Sequence, residues 1–506
     1  MTNPKVYIVG AGPGDAGLIT LKGVLALKQA DVVIYDFLAS SRLLEYTRPG
    51  VTTVYVGKKG RFRHCSQEEI NRLIVRYAKK GRTVVRLKGG DPFIFGRGAE
   101  EALALAEEGI PFEVIPGVTS ATAAPAYAGI PLTHRDFSSS VTFLTGQESP
   151  EKEISSIDWT RLSRGGTLVI LMGWKNISGI VKKLVENGRP ASTPVAMIRW
   201  GTLSRQRCVT ATLGTLAAKA KKEGLLPPVV IVVGDVVRLR ERLNWFETKP
   251  LFGKRVLVTR ALEQAGEFSK LLEENGAEPI IFPVIKTVPP KSYTPVDRAI
   301  GGLEKYDWAI FTSANGVKYF FERLYSLGRD VRELKGVNIC AIGPATAGAI
   351  KERGINVDLT PGRYRAEAIV KALGKNGIQG KRFLLPRAEK AREVLPGEIK
   401  RLGGRIDVVP VYRTIRPVKE ARGLKKLVAS GGVDIITFTS SSTVENFAGL
   451  FKKDELKRLL KGVHVACIGP VTADTAKKQG LKVDIMPKDY TIPALTEAIA
   501  GYFEGR

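Results

Sequence analysis

Apolar residues in the first half of the chain gather in short runs. These are VYIVG (6–10), DVVIY (31–35), TVVRL (83–87), FEVI (112–115), VTFLTG (141–146), TLVILM (167–172), PVAMI (194–198) and VVIVVG (229–234). Runs of this length, rich in β-branched residues and bounded by turn formers, predict strands. Between several of them the pattern changes to a helical period, as in QEEINRLIVRYAKKG (67–81) and GAEEALALAEEG (98–109). Strand alternating with helix predicts an α/β architecture, with a break around PLTHRDF (131–137). The pattern restarts near NWFETKPLFGKRVLVTR. There the helix-like VVRLRERLNWF ends, Pro250 intervenes and a new strand begins at Val256, which places a domain boundary at about Thr248.

Beyond that boundary the chain repeats itself. GKRVLVTR (253–260) returns as GKRFLLPR (380–387), PVIKTVPP (283–290) as PVYRTIRP (410–417), and DWAIFTSANGVKYF (307–320) as DIITFTSSSTVENF (434–447). CAIGPATAGAIKERGINVDLTP (340–361) returns as CIGPVTADTAKKQGLKVDIMP (467–487). The offsets are 127, 127, 127 and 126 residues. A period this long is not that of a solenoid, and it predicts two similar α/β lobes.

The length of 506 residues and a hydrophobic content of 44% allow several buried cores. No apolar run approaches the ~18 residues of a spanning helix, and the N-terminal MTNPKVYIVGAGPGD lacks a signal-peptide core, so a cytoplasmic protein is expected. The four cysteines and three histidines are scattered; neither a disulfide framework nor a metal site is expected. The net charge of +28 calls for an acidic partner or substrate. Both halves are basic, the charge is not blocked into tails, and no basic stripe interleaves with aromatics. That distribution fits a polyanionic small molecule at least as well as a nucleic acid.

VYIVGAGPGD (6–15) approaches a dinucleotide fingerprint but places Asp15 where the third glycine belongs, and Pro13 where a helix-opening N–H should meet pyrophosphate. VVRLKGGDPFIFGRG (84–98) ends a strand on Gly89 and Gly90, followed by Asp91 and Pro92. A tight turn explains the glycines; so does a backbone approached closely by something else. Together with VVIYD, VGKK, VIPGVTSATAAPAYAGIPLTHR and LVILMG, these motifs make residues 5–245 resemble the S-adenosylmethionine-dependent uroporphyrinogen-III C-methyltransferases.

The resemblance implies two α/β domains with the cofactor between them and a homodimer. It implies cofactor contacts from Pro13, Gly89, Gly90, Asp91, Ile94, Thr119, Ser120, Met172 and Gly201. It points to Asp36 as proton acceptor and Lys58 as proton donor. Arg97 and Glu100, three apart on one helical face, form a second candidate acid–base pair or a surface ion pair. Arg97, Lys59, Arg61 and Arg63 are candidate anchors for a substrate with eight carboxylates. Ala99 and Gln147 depart from the family's usual glycine and histidine.

Residues 251–506 resemble uroporphyrinogen-III synthase on VTR (258–260), FTSANGV (311–317), VYRT (411–414), FTSSS (438–442) and IGPVTA (468–473). The resemblance implies a chain that crosses twice between lobes, one of 251–287 with 413–506 and the other of 288–412. It points to Tyr412 as an aid to hydroxyl departure and to Arg260, Ser313, Ser440 and Thr472 as substrate contacts. Each repeat also offers Ser or Thr at a helix start, where those residues serve equally as N-caps.

The expected fold is thus a two-domain tetrapyrrole-methylase fold (subdomains of about 1–130 and 131–248) followed by a two-lobed, internally duplicated α/β synthase fold. The expected protein is bifunctional. It would cyclise hydroxymethylbilane to uroporphyrinogen III and methylate that twice with S-adenosylmethionine to precorrin-2. No metal is expected, no cofactor for the synthase half, and no nucleic-acid or membrane partner. A methyltransferase carrying a non-catalytic tetrapyrrole-binding module is the alternative, and a basic nucleic-acid-binding protein a remoter one.

Overall fold

The computed structural model describes the chain apart from residues 1–5, 58–64, 148–156, 261, 285, 363–365, 375–376, 392, 416–417 and 505–506, and the side chains of residues 262–264, 366, 418–421 and 453. The backbone forms two compact units: residues 1–256 with 270–279 and 499–506, and residues 257–269 with 280–498. Among the described residues no helix is long and apolar enough to cross a membrane.

The first unit contains two sheets. The strands β1 (Val6–Gly10), β2 (Val32–Tyr35), β3 (Thr52–Tyr55), β4 (Val84–Lys88) and β5 (Phe112–Ile115) lie in the order β3-β2-β4-β1-β5. Every neighbouring pair is parallel. Successive side chains leave a strand by opposite faces. Val9, Val33, Val85 and Leu87 pack with the helix α1 (Leu21–Gln29). Ile8, Ile34 and Val84 pack with α2 (Gln67–Lys79) and α3 (Gly98–Glu107) on the other face. The chain leaves β1 through α1 toward one edge and leaves β4 through α3 toward the other. The order therefore reverses between the neighbours β4 and β1, and the carboxyl ends of such strands are where open α/β sheets hold ligands.

The second sheet comprises β6 (Val141–Thr145), β7 (Thr167–Leu171), β8 (Pro194–Arg199), β9 (Arg207–Thr212) and β10 (Val229–Val233), in the order β6-β7-β10-β8-β9. β10 runs antiparallel to both β7 and β8, so those two strands end on the same side. The helix α4 (Ser120–Tyr127) follows the loop after β5, yet it buries Ala121 and Ala124 against Val169, Ala196 and Val232 of this second sheet.

The second unit is built from the later residues of β11 (Arg255–Val258) and β12 (Glu278–Ile281) and from β13 (Lys286–Val288), β14 (Trp308–Phe311), β15 (Asn338–Ala341), β16 (Arg382–Ala388), β17 (Arg405–Ile415), β18 (Ile435–Phe438) and β19 (His464–Cys467). They form the sheets β12-β11-β18-β19 and β13-β17-β16-β14-β15. The first copy of the repeat supplies β11, β12, β14 and β15, and the second supplies β16, β17, β18 and β19. Each sheet thus joins the opening strands of one copy to the closing strands of the other. The repeat persists in the packing. Phe311 meets Phe320 edge-on at 5.6 Å and 70°, and Phe438 meets Phe447 at 5.5 Å and 68°. All four rings are buried. Cys340 and Cys467 are both buried, though they are not equivalent, since Phe311 pairs with Ala341 where Phe438 pairs with Cys467; desolvation pushes both thiols up to about 12. β13 pairs antiparallel with β17, Lys286 opposite Ile415, so the second sheet's part of the chain enters and leaves along one ribbon.

This exchange of halves generates a first prediction. The fragment 286–415 contains all five strands of the second sheet and is expected to unfold cooperatively by itself. The fragment 253–361, one whole copy of the repeat, holds only part of each sheet and is expected to be unfolded. Circular dichroism with thermal denaturation compares them; a cooperative transition in 253–361 would contradict the exchange.

Candidate functional site

At the carboxyl ends of β1, β4 and β5 three glycines put backbone directly against backbone. A Cβ on Gly117 would lie 2.4 Å from the Gly90 carbonyl oxygen and 2.7 Å from Gly10 Cα, and one on Gly10 would lie 2.5 Å from Gly117 Cα. Gly12 and Gly90 exchange hydrogen bonds of 3.2 and 2.7 Å. The two adjacent glycines after β4 have different causes. Gly89 is glycine because Leu38 occupies the place of its side chain, 2.5 Å from an added Cβ. Gly90 needs a left-handed φ of +70°, and an added Cβ there would meet nothing nearer than 3.8 Å, at Thr119 and Ser120. Of the pair, only Gly90 faces open space.

Asp91 fixes the loop that follows. Its Oδ1 accepts from the Phe93 and Ile94 amides at 2.8 and 3.1 Å, and its Oδ2 from the Gly117 amide at 3.0 Å. The carboxylate is a cage for two loops, and the expectation that it faces a cofactor's charge gains no contact from this geometry. Beyond it the backbone is strained. Phe95, Arg97, Met172, Trp200 and Thr202 are the non-glycine residues with positive φ among those described, and all five lie in loops after β4, β7 and β8. Such strain gathers at functional sites. Phe37, Leu38, Phe93, Ile94, Phe95 and Met172 are exposed apolar side chains on these loops and the one after β2.

Two contacts join the loop after β8 to the first sheet. Trp200 meets Phe37 edge-on at 5.8 Å, and Thr202 Oγ1 accepts from the Asp15 amide at 3.1 Å. Asp15 also accepts from Tyr127 Oη at 2.7 Å and from the Gly17 amide at 2.8 Å. Burial and the Asp15 carboxylate push the Tyr127 phenol well above its ordinary value. The residue that breaks the dinucleotide fingerprint is therefore a structural clasp. Gly201 lies against α4, where an added Cβ would come 2.4 Å from Ala124 Cβ. Pro13 sits in the loop between Gly12 and Gly14, both with positive φ.

Asp36, at the end of β2, has both oxygens engaged. Oδ1 accepts from the Leu38 and Ala39 amides at 3.1 and 3.2 Å, and Oδ2 from Arg86 Nη2 at 3.2 Å. Arg97 and Glu100 form a bidentate pair of 2.8 and 2.6 Å, both side chains about half exposed. That contact raises the Arg97 pKa and lowers that of Glu100. Lys58, Lys59, Arg61 and Arg63 lie outside the described residues. Sequence reasoning passed over Arg86, Lys88 and Glu101, which are buried together beneath this site. The signal was present: β4 reads V-V-R-L-K, with cations at alternate positions of a buried strand.

In the second unit the Tyr412 and Ser313 hydroxyls lie 3.3 Å apart. Tyr412 stacks on Tyr319 at 5.5 Å and 18°, and Tyr319 Oη donates to Thr287 Oγ1 at 3.2 Å. Ser313 and Ser440 are both N-caps, accepting from the Gly316 and Thr443 amides at 3.0 and 3.2 Å. The capping role thus accounts for one lone pair of each hydroxyl. Thr472 is buried near the start of the helix Pro470–Lys478. Burial lowers the Arg260 pKa. The five residues divide between the sheets: Arg260, Ser440 and Thr472 follow β11, β18 and β19, while Ser313 and Tyr412 belong with β14 and β17. Among the described residues no group of three or more His, Cys, Asp or Glu could hold a metal ion.

Comparison with known proteins assigns the halves separately. Residues 5–217 match the family model described as tetrapyrrole (corrin/porphyrin) methylases, and residues 266–497 that of uroporphyrinogen-III synthase HemD. The porphyrin biosynthesis protein HemD of Ruminiclostridium josui is 39% identical over 503 residues, 99% of this chain and 98% of its own length. A uroporphyrinogen-III C-methyltransferase of Bacillus subtilis is 52% identical over 246 residues, 48% of this chain and 95% of its own. The uroporphyrin-III C-methyl transferase of Thermus thermophilus, solved in complex with S-adenyl homocysteine, is 43% identical and covers 46% of this chain and 99% of its own, with a TM-score of 0.40.

Removing the Asp91 cage in Asp91→Ala leaves three amides without their acceptor. The variant is expected to lose about 1–3 kcal/mol of unfolding free energy in the first unit. Chemical denaturation followed by tryptophan fluorescence checks this, and an unchanged midpoint would show that the cage contributes nothing.

Proposed function

The chain belongs to the family that joins a uroporphyrinogen-III C-methyltransferase to a uroporphyrinogen-III synthase, and on that premise we propose the order in which its halves act. It is a bifunctional protein of tetrapyrrole biosynthesis. In our reading the second half closes hydroxymethylbilane to uroporphyrinogen III with ring D inverted. The first half then methylates that macrocycle twice, giving precorrin-2.

The observation that carries the methyl-transfer reading is the contact of Gly10, Gly90 and Gly117 at the switch between β4 and β1. Beside it, the backbone at Gly90 keeps open space next to the start of α4. That cradle suits S-adenosylmethionine, which when bound supplies an already activated sulfonium methyl. Gly90, Thr119 and Ser120 would hold it by backbone and hydroxyl, with Ile94 and Met172 as apolar walls. Asp91, Pro13, Gly89 and Gly201 act by shaping those loops. Methylation at a pyrrole carbon releases a proton from the macrocycle, and two carboxylates stand near the end of the sheet to take it, Asp36 and the Arg97-paired Glu100. Lys58 is the corresponding donor. The rest is alignment, which alone is worth several orders of magnitude in such a step. Lys59, Arg61, Arg63 and Arg97 would meet the carboxylates of the substrate.

For the synthase half the reading rests on the Tyr412–Ser313 pair. A phenol beside a serine hydroxyl can donate to the departing hydroxyl of hydroxymethylbilane, which leaves as water. Arg260, Ser440 and Thr472 would meet carboxylates from the other sheet. The reading also takes the protein as a cytoplasmic homodimer joined through its methyltransferase half; light scattering that gives a monomer would remove the dimer.

Purified protein given hydroxymethylbilane and S-adenosylmethionine under anaerobic conditions is expected to yield a type III macrocycle carrying two added methyl groups, read by absorbance and mass spectrometry. Unmethylated type I macrocycle alone would defeat the bifunctional reading. Type III macrocycle without methyl groups would leave only the synthase half.

Tyr412→Phe keeps the ring and removes the hydroxyl. Cyclisation is expected to slow by about 10²-fold, while methylation of preformed uroporphyrinogen III continues at the wild-type rate. A loss of both activities together would make Tyr412 a structural residue.

A further inference from the structure

The face of β4 that turns toward α2 and α3 should be apolar, as Val84 is. Instead it presents Arg86 and then Lys88, both almost fully buried, and α3 answers with Glu101, which has no exposure at all. One oxygen of Glu101 takes nearly the whole load. Oε1 accepts from Lys88 Nζ at 2.8 Å, from Arg86 Nε at 3.0 Å and from Gln67 Nε2 of α2 at 3.3 Å. Oε2 makes no hydrogen bond among the described residues. Arg86 extends the network by donating to the Leu87 and Ile34 carbonyls at 3.0 and 3.4 Å and to Asp36 at 3.2 Å.

Burying two cations with a single buried carboxylate, Glu101, is a poor way to stabilise a fold. Apolar residues of similar volume do as well or better, because the desolvation cost can match or exceed the Coulomb gain. Lys88 carries that cost visibly. Burial and the neighbouring Arg86 charge lower its pKa, against the opposing pull of Glu101 and Asp36.

The placement of the charges suggests what they do instead. Lys88 is the last residue before Gly89 and Gly90. Glu101 is in the first turn of α3, just past Arg97, where the strained loop ends. The Lys88–Glu101 pair therefore joins the two feet of the loop that holds Gly89, Gly90, Asp91 and Ile94. Through Arg86 the same carboxylate also fixes Asp36, at the end of the neighbouring strand. We infer that Glu101 is a positioning residue for methyl transfer, setting the register between the loop after β4 and the carboxylate after β2. The inference rests on the methyltransferase reading of the first half. It explains why adjacent glutamates on α3 differ so completely: Glu100 is half exposed and pairs with Arg97, while Glu101 points inward and among the described residues bonds to Lys88, Arg86 and Gln67.

The test uses the full-length chain with Glu101→Gln and the double variant Lys88→Met/Glu101→Met. The wild type is assayed first for methyl transfer to uroporphyrinogen III, and its inactivity would count against the functional reading and not against Glu101. Glu101→Gln strands two buried cations and is expected to lower both the unfolding temperature and kcat. The double variant removes the stranded ammonium and leaves Arg86 to Asp36. Its unfolding temperature is expected to recover toward wild type while kcat stays at least about tenfold down. The KM for uroporphyrinogen III should move by less than kcat does. A purely structural network would restore activity with stability, so a folded double variant with kcat within about twofold of wild type would overturn the inference. A double variant that fails to fold would also overturn it, since the network would then be holding the domain together. If Glu101→Gln does not fold, the double variant decides alone.

Discussion

Gly10, Gly90 and Gly117 bring three chain segments into a space that one methyl group would fill. Every other feature of the first unit's site hangs on that approach. It lets the loop after β1 pair with the loop after β4 through Gly12 and Gly90. It also brings the Gly117 amide within reach of the Asp91 carboxylate. Because α4 starts immediately after this crowded point and packs on the other sheet, the contact also determines where the second sheet begins. The constraint is steric and local, yet it settles the relation between two subdomains and the shape of the opening between their strand ends.

The second unit reaches order by a different route. Its duplication is one of sequence, but the sheets are not copies laid side by side. Each sheet draws its strands from both copies, so the repeated edge-on phenylalanine pairs stand in different lobes. Equivalent residues such as Ser313 and Ser440, or Phe311 and Phe438, thereby occupy matching places around two separate cores. The residues expected to contact substrate are accordingly shared out between the sheets.

Much of the architecture could be read from the chain. The eight apolar runs of the first half are all strands, because short β-branched segments with turn formers at their ends have few other uses. β3 and β9 escaped that reading: TTVY and RCVTAT are edge strands with half-exposed faces and no continuous apolar run. The site was less legible. Gly89 and Gly90 look identical in sequence, but a neighbour 51 positions earlier, Leu38, explains one and a backbone angle explains the other. Asp15 could be recognised as a misfit in a nucleotide motif, while its partners Tyr127 and Thr202 could not, since they lie far along the chain. The largest omission was Glu101. A glutamate beside Glu100 on an amphipathic helix reads as solvent-facing, and only the two cations on β4 turn it inward.

The β13–β17 ribbon has a mechanical consequence. The second sheet's segment begins at Lys286 and ends at Ile415, and these two residues are paired with each other. A pulling force applied to the ends of the second unit would enter and leave that segment at adjacent points. The tension would cross Lys286–Ile415, Thr287–Thr414 and Val288–Arg413 and would not load β14, β15 and β16 until those pairs had parted. The lobe is in this sense a side branch of the load path. It could be displaced as a body while the strands that bear the force, β11, β12, β18 and β19, stayed under strain.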